Sequence, residues 1–177
     1  MPAPRIWTIG HSTRSFDEFL SLLRANQVTR LADIRTIPKS RRHPHFSGEA
    51  LDASLQHAGI EYRHFPDLGG LRKPRPDSPN NAWKNASFRG YADYMRTPVF
   101  SAAVDELLAF GDEPACAAVM CAEAVWWRCH RMLLSDALLG RGVEVQHILG
   151  DAPTRPHRLT PFARVSEDGQ VSYPGVI

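Results

Sequence analysis

The chain has 177 residues, 43% of them hydrophobic and 23% charged. This is a globular composition that excludes disordered and collagen-like classes and allows one domain of ordinary size. Its net charge of only +2 argues against a protein coated in positive charge, and no apolar run approaches the ~20 residues of a membrane span. Three cysteines at irregular spacing, with no signal-peptide pattern, predict a reducing, cytoplasmic setting rather than a secreted disulfide framework. The charge is uneven, with an excess of Lys and Arg in residues 1–75 and of Asp and Glu beyond.

Ile6 to Ile9 reads as a strand that ends at the turn formers Gly10-His11-Ser12-Thr13. Ser15 with Glu18 forms a capping-box pattern, and Phe16, Phe19, Leu20, Leu22 and Leu23 follow at helical spacing. Arg30 to Ile34 predicts a second strand, followed by a basic loop that holds Arg35, Lys39, Ser40, Arg41 and Arg42. A helix capped by Ser47 runs through Ala58 and stops at Gly59, and Ile60 to Phe65 predicts a third strand. Residues 66–86 form a long irregular stretch with Gly69-Gly70 and the basic Arg72, Lys73 and Arg75; loops of this length are more often functional than idle. Helical patterns resume over Ser87–Met95 and from Pro98 to about Phe110. Ala115 to Met120 suits a buried strand, Trp126 to Gly140 a helix, and Val143 to Ile148 a fifth strand.

This alternation predicts a single α/β domain over residues 1–150. It is a three-layer open sheet, mostly parallel, of about five strands with helices on both faces, Rossmann-like or flavodoxin-like. Residues 151–177 read as a Pro-rich tail that packs on the domain or attaches loosely, with a small hairpin around Asp168-Gly169.

Open parallel sheets bind ligands outside the carboxyl ends of their strands. His11 and Ser12 follow the first predicted strand, Asp33 and Arg35 the second, Gly69 and Gly70 the third, and Cys121, Glu123, Arg128, Cys129, His130 and Arg131 the fourth. Each has a bland use beside a chemical one. Glu123 either pairs with a nearby arginine or transfers protons. Asp33 and Arg35, two apart on a strand, either bridge each other or orient and clamp an anionic substrate. His11 is a turn residue or an acid/base group. Cys129, read in the first turns of a helix, is a core thiol or a thiolate nucleophile. Cys121, Cys129, His130 and His11 are the alternative zinc set, although no CxxC pair is present. Trp126 and Trp127 either wall a pocket or pack the helix. Gly69-Gly70 is not a GxGxxG fingerprint and there is no Walker motif, so no cofactor is predicted.

Taken in order, several motifs resemble one prokaryotic family. They are Thr8-Ile9-Gly10-His11-Ser12, Asp33-Ile34-Arg35 with Pro38-Lys39-Ser40, Leu68-Gly69-Gly70, Phe88 to Met95, and Met120-Cys121-Ala122-Glu123 with Cys129-His130-Arg131. The family is the one catalogued as domain of unknown function 488, and the resemblance covers about residues 5–150. It implies an α/β domain in which these segments share one polar site, and it supplies no substrate.

The expectation is an enzyme, a hydrolase or group transferase acting on an anionic small molecule, a nucleotide or a nucleic acid. Glu123 or His11 would move protons, with Asp33 orienting and Cys129 as a candidate nucleophile. Arg35, Arg42 and Arg131 would hold the anion, with Ser12, Ser40, Gly69, Gly70, Tyr91 and Arg128 around it. The alternatives are a non-catalytic module that binds nucleic acid or a partner through the two basic loops, and a Cys/His metal or redox site.

Overall fold

A computed structural model describes residues 3–175. Five parallel strands build the sheet: β1 (Arg5–Gly10), β2 (Arg30–Asp33), β3 (Glu61–His64), β4 (Ala117–Cys121) and β5 (Glu144–Ile148). A sixth, β6 (Arg155–Pro156), joins antiparallel to β5, giving the order β3-β2-β4-β1-β5-β6. The helices are α1 (Phe16–Ala25), α2 (Gly48–His57), α3 (Ala86–Tyr94), α4 (Pro98–Phe110) and α5 (Arg131–Gly140). Mixed α/β content, a mostly parallel sheet and helices on both faces make this the expected three-layer class.

Alternation along the strands divides the core. Ile9, Leu31 and Met120 pack with Phe19 and Leu23 of α1 and Leu51 and Leu55 of α2 on one face. Ile6, Ala32 and Val119 pack with Tyr91, Phe100, Leu107 and Leu133 of α3, α4 and α5 on the other. Each buried Ile, Leu, Val, Met or Phe among them contributes about 1.5–3 kcal/mol by leaving water. Every residue of β4 is buried, because the strand lies mid-sheet with helices over both faces.

Local chemistry sets the helix ends. The Ser15 hydroxyl accepts from Glu18 N–H at 3.1 Å, and the Glu18 carboxylate accepts from Ser15 N–H, so the capping box closes. Ser47 stands at the N-cap of α2, but its hydroxyl accepts from Ser40 N–H instead of capping, which fastens the basic loop.

The reading of residues 126–140 as one helix needs correction. Trp126–Arg128 form a short 3-10 turn, Cys129 is extended (φ −131°, ψ 153°), and α5 starts only at Arg131. Tertiary contacts hold this entry open. Trp126 stacks on His147 at 4.5 Å between ring centroids, and His130 Nε2–H donates to Ile34 O at 3.1 Å.

The tail is integrated into the fold. It supplies β6 and a hairpin of β7 (Arg164–Val165) and β8 (Val171–Ser172), turning at Gly169, whose φ is +83°. His157, Thr160 and Tyr173 are all buried. Among the described residues no helix is long and apolar enough to cross a membrane.

The connections define a switch point. β1 leads through α1 to β2, on one side of β4; β4 leads through α5 to β5, on the far side of β1. The chain therefore leaves these two neighbouring strands toward opposite faces, which is where doubly wound sheets open a crevice.

Candidate functional site

The two loops at the switch point are sewn together. His11 N–H donates to Cys121 O and Ser12 N–H to Ala122 O, both at 3.0 Å, which extends the β1–β4 ladder past the strands. Ser12 takes a left-handed conformation (φ +48°) that turns the chain toward α1. Gly10 has no side chain for a reason: a Cβ there would run into the Glu123 carbonyl oxygen.

Asp33 and Arg35 bridge each other. Arg35 Nε donates to Asp33 Oδ1 at 2.9 Å and Nη2 to Oδ2 at 2.7 Å. Nη2 also donates to Phe46 O at 2.8 Å, and the Tyr62 hydroxyl donates to Asp33 Oδ2 at 2.5 Å. Asp33 is wholly buried and Arg35 nearly so. Their strong donors and acceptors are thus committed within the protein, and the substrate clamp expected of Arg35 is reduced to what Nη1 can offer.

That Nη1 lies 3.4 Å from His11 Nε2. A guanidinium only donates, so His11 Nε2 is bare and the ring proton sits on Nδ1, donating to Ser12 O at 2.9 Å. The imidazole stacks on Phe46 at 4.6 Å. Burial, with the Arg35 charge adding to it, lowers the His11 pKa to about 4, so the ring is neutral at pH 7.

Arg131 has no exposed surface. Its Nη2 donates to Glu123 O at 2.9 Å and reaches Ala124 O at 3.5 Å, while Nη1 donates to Thr8 Oγ1 at 3.1 Å. It grips the loop from beneath and is not available to a substrate anion. The Glu123 side chain, by contrast, is exposed; among the described residues its carboxylate makes no hydrogen bond or ion pair. The arginine pairing expected as its bland use is therefore absent among them. Arg42 and Arg128 are likewise exposed and unpaired among the described residues.

Both thiols are buried, as the core-thiol alternative has them. Cys129 precedes α5, and its sulfur accepts from Arg131 N–H at 3.4 Å. Burial, reinforced by its contact with Cys121, pushes the Cys129 thiol up. Burial opposes ionisation of Cys121 too, but the Cys129 S–H and the Arg131 guanidinium overcome it and pull Cys121 below the ordinary thiol range. His130 spends its Nε2 proton on Ile34 O and turns Nδ1 to the Cys129 thiol at 3.5 Å. Burial lowers its pKa to about 4. Among the described residues no three His, Cys, Asp or Glu side chains converge as metal ligands do.

The remaining expected residues shape the edge. Gly69 and Gly70 let the chain pass close over Thr36 and His130; a Cβ at Gly70 would lie 2.6 Å from His130 Nδ1. Tyr91 is fully buried and donates its hydroxyl to Leu68 O at 3.1 Å. Ser40 Oγ accepts from His43 N–H at 3.0 Å. In the second basic loop, Arg72 donates to Gly69 O and covers the Tyr94 ring, and Arg75 pairs with Asp77. The exposed Lys39, Arg41 and Arg42 keep the first basic loop the more open one. Two clefts lie away from this edge. One of about 190 Å³ separates α4 and α5 from the β7–β8 hairpin. Another of about 950 Å³ lies beside the amino end of β1. Sequence reasoning passed over Asp136, His157 and Tyr173, which lie in regular helix or tail and carry no motif, and read Thr8 only as part of the first family motif.

The arrangement is that of a doubly wound α/β domain with a polar site at its switch point. The chain belongs to the family described as Domain of unknown function DUF488, which matches residues 15–138 and bears out the resemblance read from the motifs. No curated protein and no solved structure matches the chain.

Proposed function

We propose that this protein is an enzyme, a hydrolase or group transferase, that takes an anionic substrate in the crevice outside β1 and β4. One observation carries the reading. At the switch point, a loop locked by Gly10 and Arg131 presents the Glu123 carboxylate to solvent, with no partner among the described residues. A carboxylate held on a rigid loop and left unpaired is suited to proton transfer. Arg128, five residues on, and Arg42, on the loop after β2, are exposed cations able to hold phosphate or carboxylate. In this reading Asp33, Arg35 and His11 form the floor beneath the substrate, and Ser12 offers its hydroxyl at the rim.

The test is a screen of phosphate esters, nucleotides and carboxylate esters with the wild-type chain and Glu123→Gln. For any substrate turned over, the variant is expected to lose about 100-fold or more in kcat, with its Tm unchanged. Full turnover by Glu123→Gln would overturn the assignment, and a large fall in Tm would make Glu123 a structural group.

A further inference from the structure

Arg131 raises a problem that the site alone does not solve. It is a fully buried cation that belongs to none of the ion pairs among the described residues, and its Nε lacks a partner. Such a charge is costly to bury alone. A chain of hydrogen bonds leads away from it. Arg131 Nη1 donates to Thr8 Oγ1 at 3.1 Å, and Thr8 Oγ1 lies 2.6 Å from His147 Nδ1. His147 Nε2 lies 2.9 Å from His157 Nδ1, and His157 Nε2 lies 2.8 Å from Asp136 Oδ1. Asp136 also accepts from Thr160 N–H at 3.1 Å and from the Tyr173 hydroxyl at 2.7 Å. All these side chains are buried, and Trp126 lies flat against the His147 ring at 4.5 Å.

Donor and acceptor rules orient the chain. A carboxylate only accepts, so His157 Nε2 carries a proton toward Asp136. If His157 is neutral, its Nδ1 is bare and must accept from His147 Nε2–H. If His147 is neutral as well, its Nδ1 is bare and must accept the Thr8 hydroxyl proton. Thr8 then has its lone pairs free for Arg131. Charge balance favours this state: Arg131 and Asp136 cancel when both rings are neutral, whereas a protonated ring leaves an excess positive charge in the core. Burial above all, with the Arg131 charge adding to it, also lowers the His147 pKa to about 3.

We infer that Thr8, His147, His157 and Asp136 form a one-way relay that neutralises Arg131 and so make it the positioning residue of the Glu123 loop, with the C-terminal segment built into the site. The positioning part rests on the functional reading of Glu123; the relay does not. Arg131 holds the carbonyls of Glu123 and Ala124, and the relay is what keeps its charged head in place. His157 and Tyr173, which lie outside residues 15–138 matched by the family, complete it.

Ring-nitrogen NMR on the full chain, labelled with ¹⁵N in histidine, tests the relay without a substrate. At pH 7 both His147 and His157 are expected neutral with the proton on Nε2. A proton on Nδ1 of either ring overturns the relay. Thr8→Val keeps the shape and removes the hydroxyl. It is expected to speed amide exchange at Ser12 and Arg128, whose N–H groups bond to Ala122 O and Val125 O on either side of the gripped carbonyls, by about 10-fold or more through local opening. Exchange at Ile9 in mid-sheet should stay as in wild type, and Thr8→Ser should restore protection. Unchanged exchange at Ser12 and Arg128 in Thr8→Val overturns the positioning role. Because neither readout involves turnover, an active Glu123→Gln would sink the catalytic reading while leaving the relay standing.

Discussion

Asp33 and Arg35 show how one spacing serves two opposite readings. Residues two apart at a strand end project to the same side, so the sequence places an anion beside a cation without saying whether a third party joins them. The structure decides by burial. Once both groups leave water, each must satisfy the other, and Tyr62, Phe46 and His11 take up what remains. Asp33→Asn would leave Arg35 buried without its counter-charge. It is expected to cost about 3–5 kcal/mol, read as a lower urea midpoint at unchanged m-value. A loss below about 1 kcal/mol, the range of a surface pair, would contradict this account. Glu123 is the converse. No partner reaches it among the described residues, although arginines stand close in sequence, because Arg131 is drawn beneath the loop to its carbonyl.

At the scale of the element, the long stretch between β3 and α3 is the clearest case. Its length and its Pro and Gly content predict an irregular, functional loop, yet it is pinned. Asp93 on α3 accepts from Arg75 N–H at 2.8 Å, Ser78 Oγ at 2.6 Å and Asn80 Nδ2 at 2.7 Å. Asn80 Oδ1 in turn accepts from Tyr173 N–H at 2.9 Å and ties the loop to the tail. Burial raises the Asp93 pKa, but the three donors outweigh it and hold the carboxyl below its ordinary value. The folded state thus prefers the ionised form. Its stabilisation is present above the unfolded carboxylate pKa, near 4, and is lost as pH falls through the lower folded value. Asp93→Asn is expected to cost about 1.5–3 kcal/mol, the worth of hydrogen bonds to a charged group. Proteolysis should then cut first within residues 72–82; cleavage elsewhere first would show that Asp93 is not the pin. Helix α5 carries a second lesson. Its periodicity extends back to Trp126, but stacking on His147 and the His130 bond to Ile34 O unwind the first turns.

For the whole molecule, buried histidines set the acid response. His11 and His130 have pKa values lowered to about 4, and His147 to about 3, each chiefly by burial. The neighbouring titratable groups are Arg35, Asp33 and His43 for His11, Arg131 and Arg72 for His130, and His157 and Arg131 for His147. Below the ordinary histidine value of about 6.5 the unfolded chain binds protons at these positions and the folded chain does not, so acid favours unfolding. Stability should fall as pH drops from about 6.5 toward 4, with a slope approaching ~1.4 kcal/mol per pH unit for each such histidine. Urea midpoints at pH 7, 6 and 5 measure this, and a midpoint flat across that range would be incompatible with three neutral buried rings.

Much of the fold was legible because it rests on local pattern. Period-2 and period-3.6 hydrophobicity marks five strands and most of the helices, and the Ser15–Glu18 box marks a helix start; the family motifs were readable as ordered segments. The gathering of polar residues at one sheet edge also followed, since parallel crossovers send every strand's end to the same side. Tertiary structure alone decided which of those groups face solvent. A two-residue edge strand ending in Pro156 and a relay through Thr8, His147, His157 and Asp136 have no local signature. Their meaning arises only when distant segments are packed together without water. In that setting a buried charge must find its opposite wherever the fold has placed it, and for Arg131 the opposite is Asp136, reached through three neutral side chains.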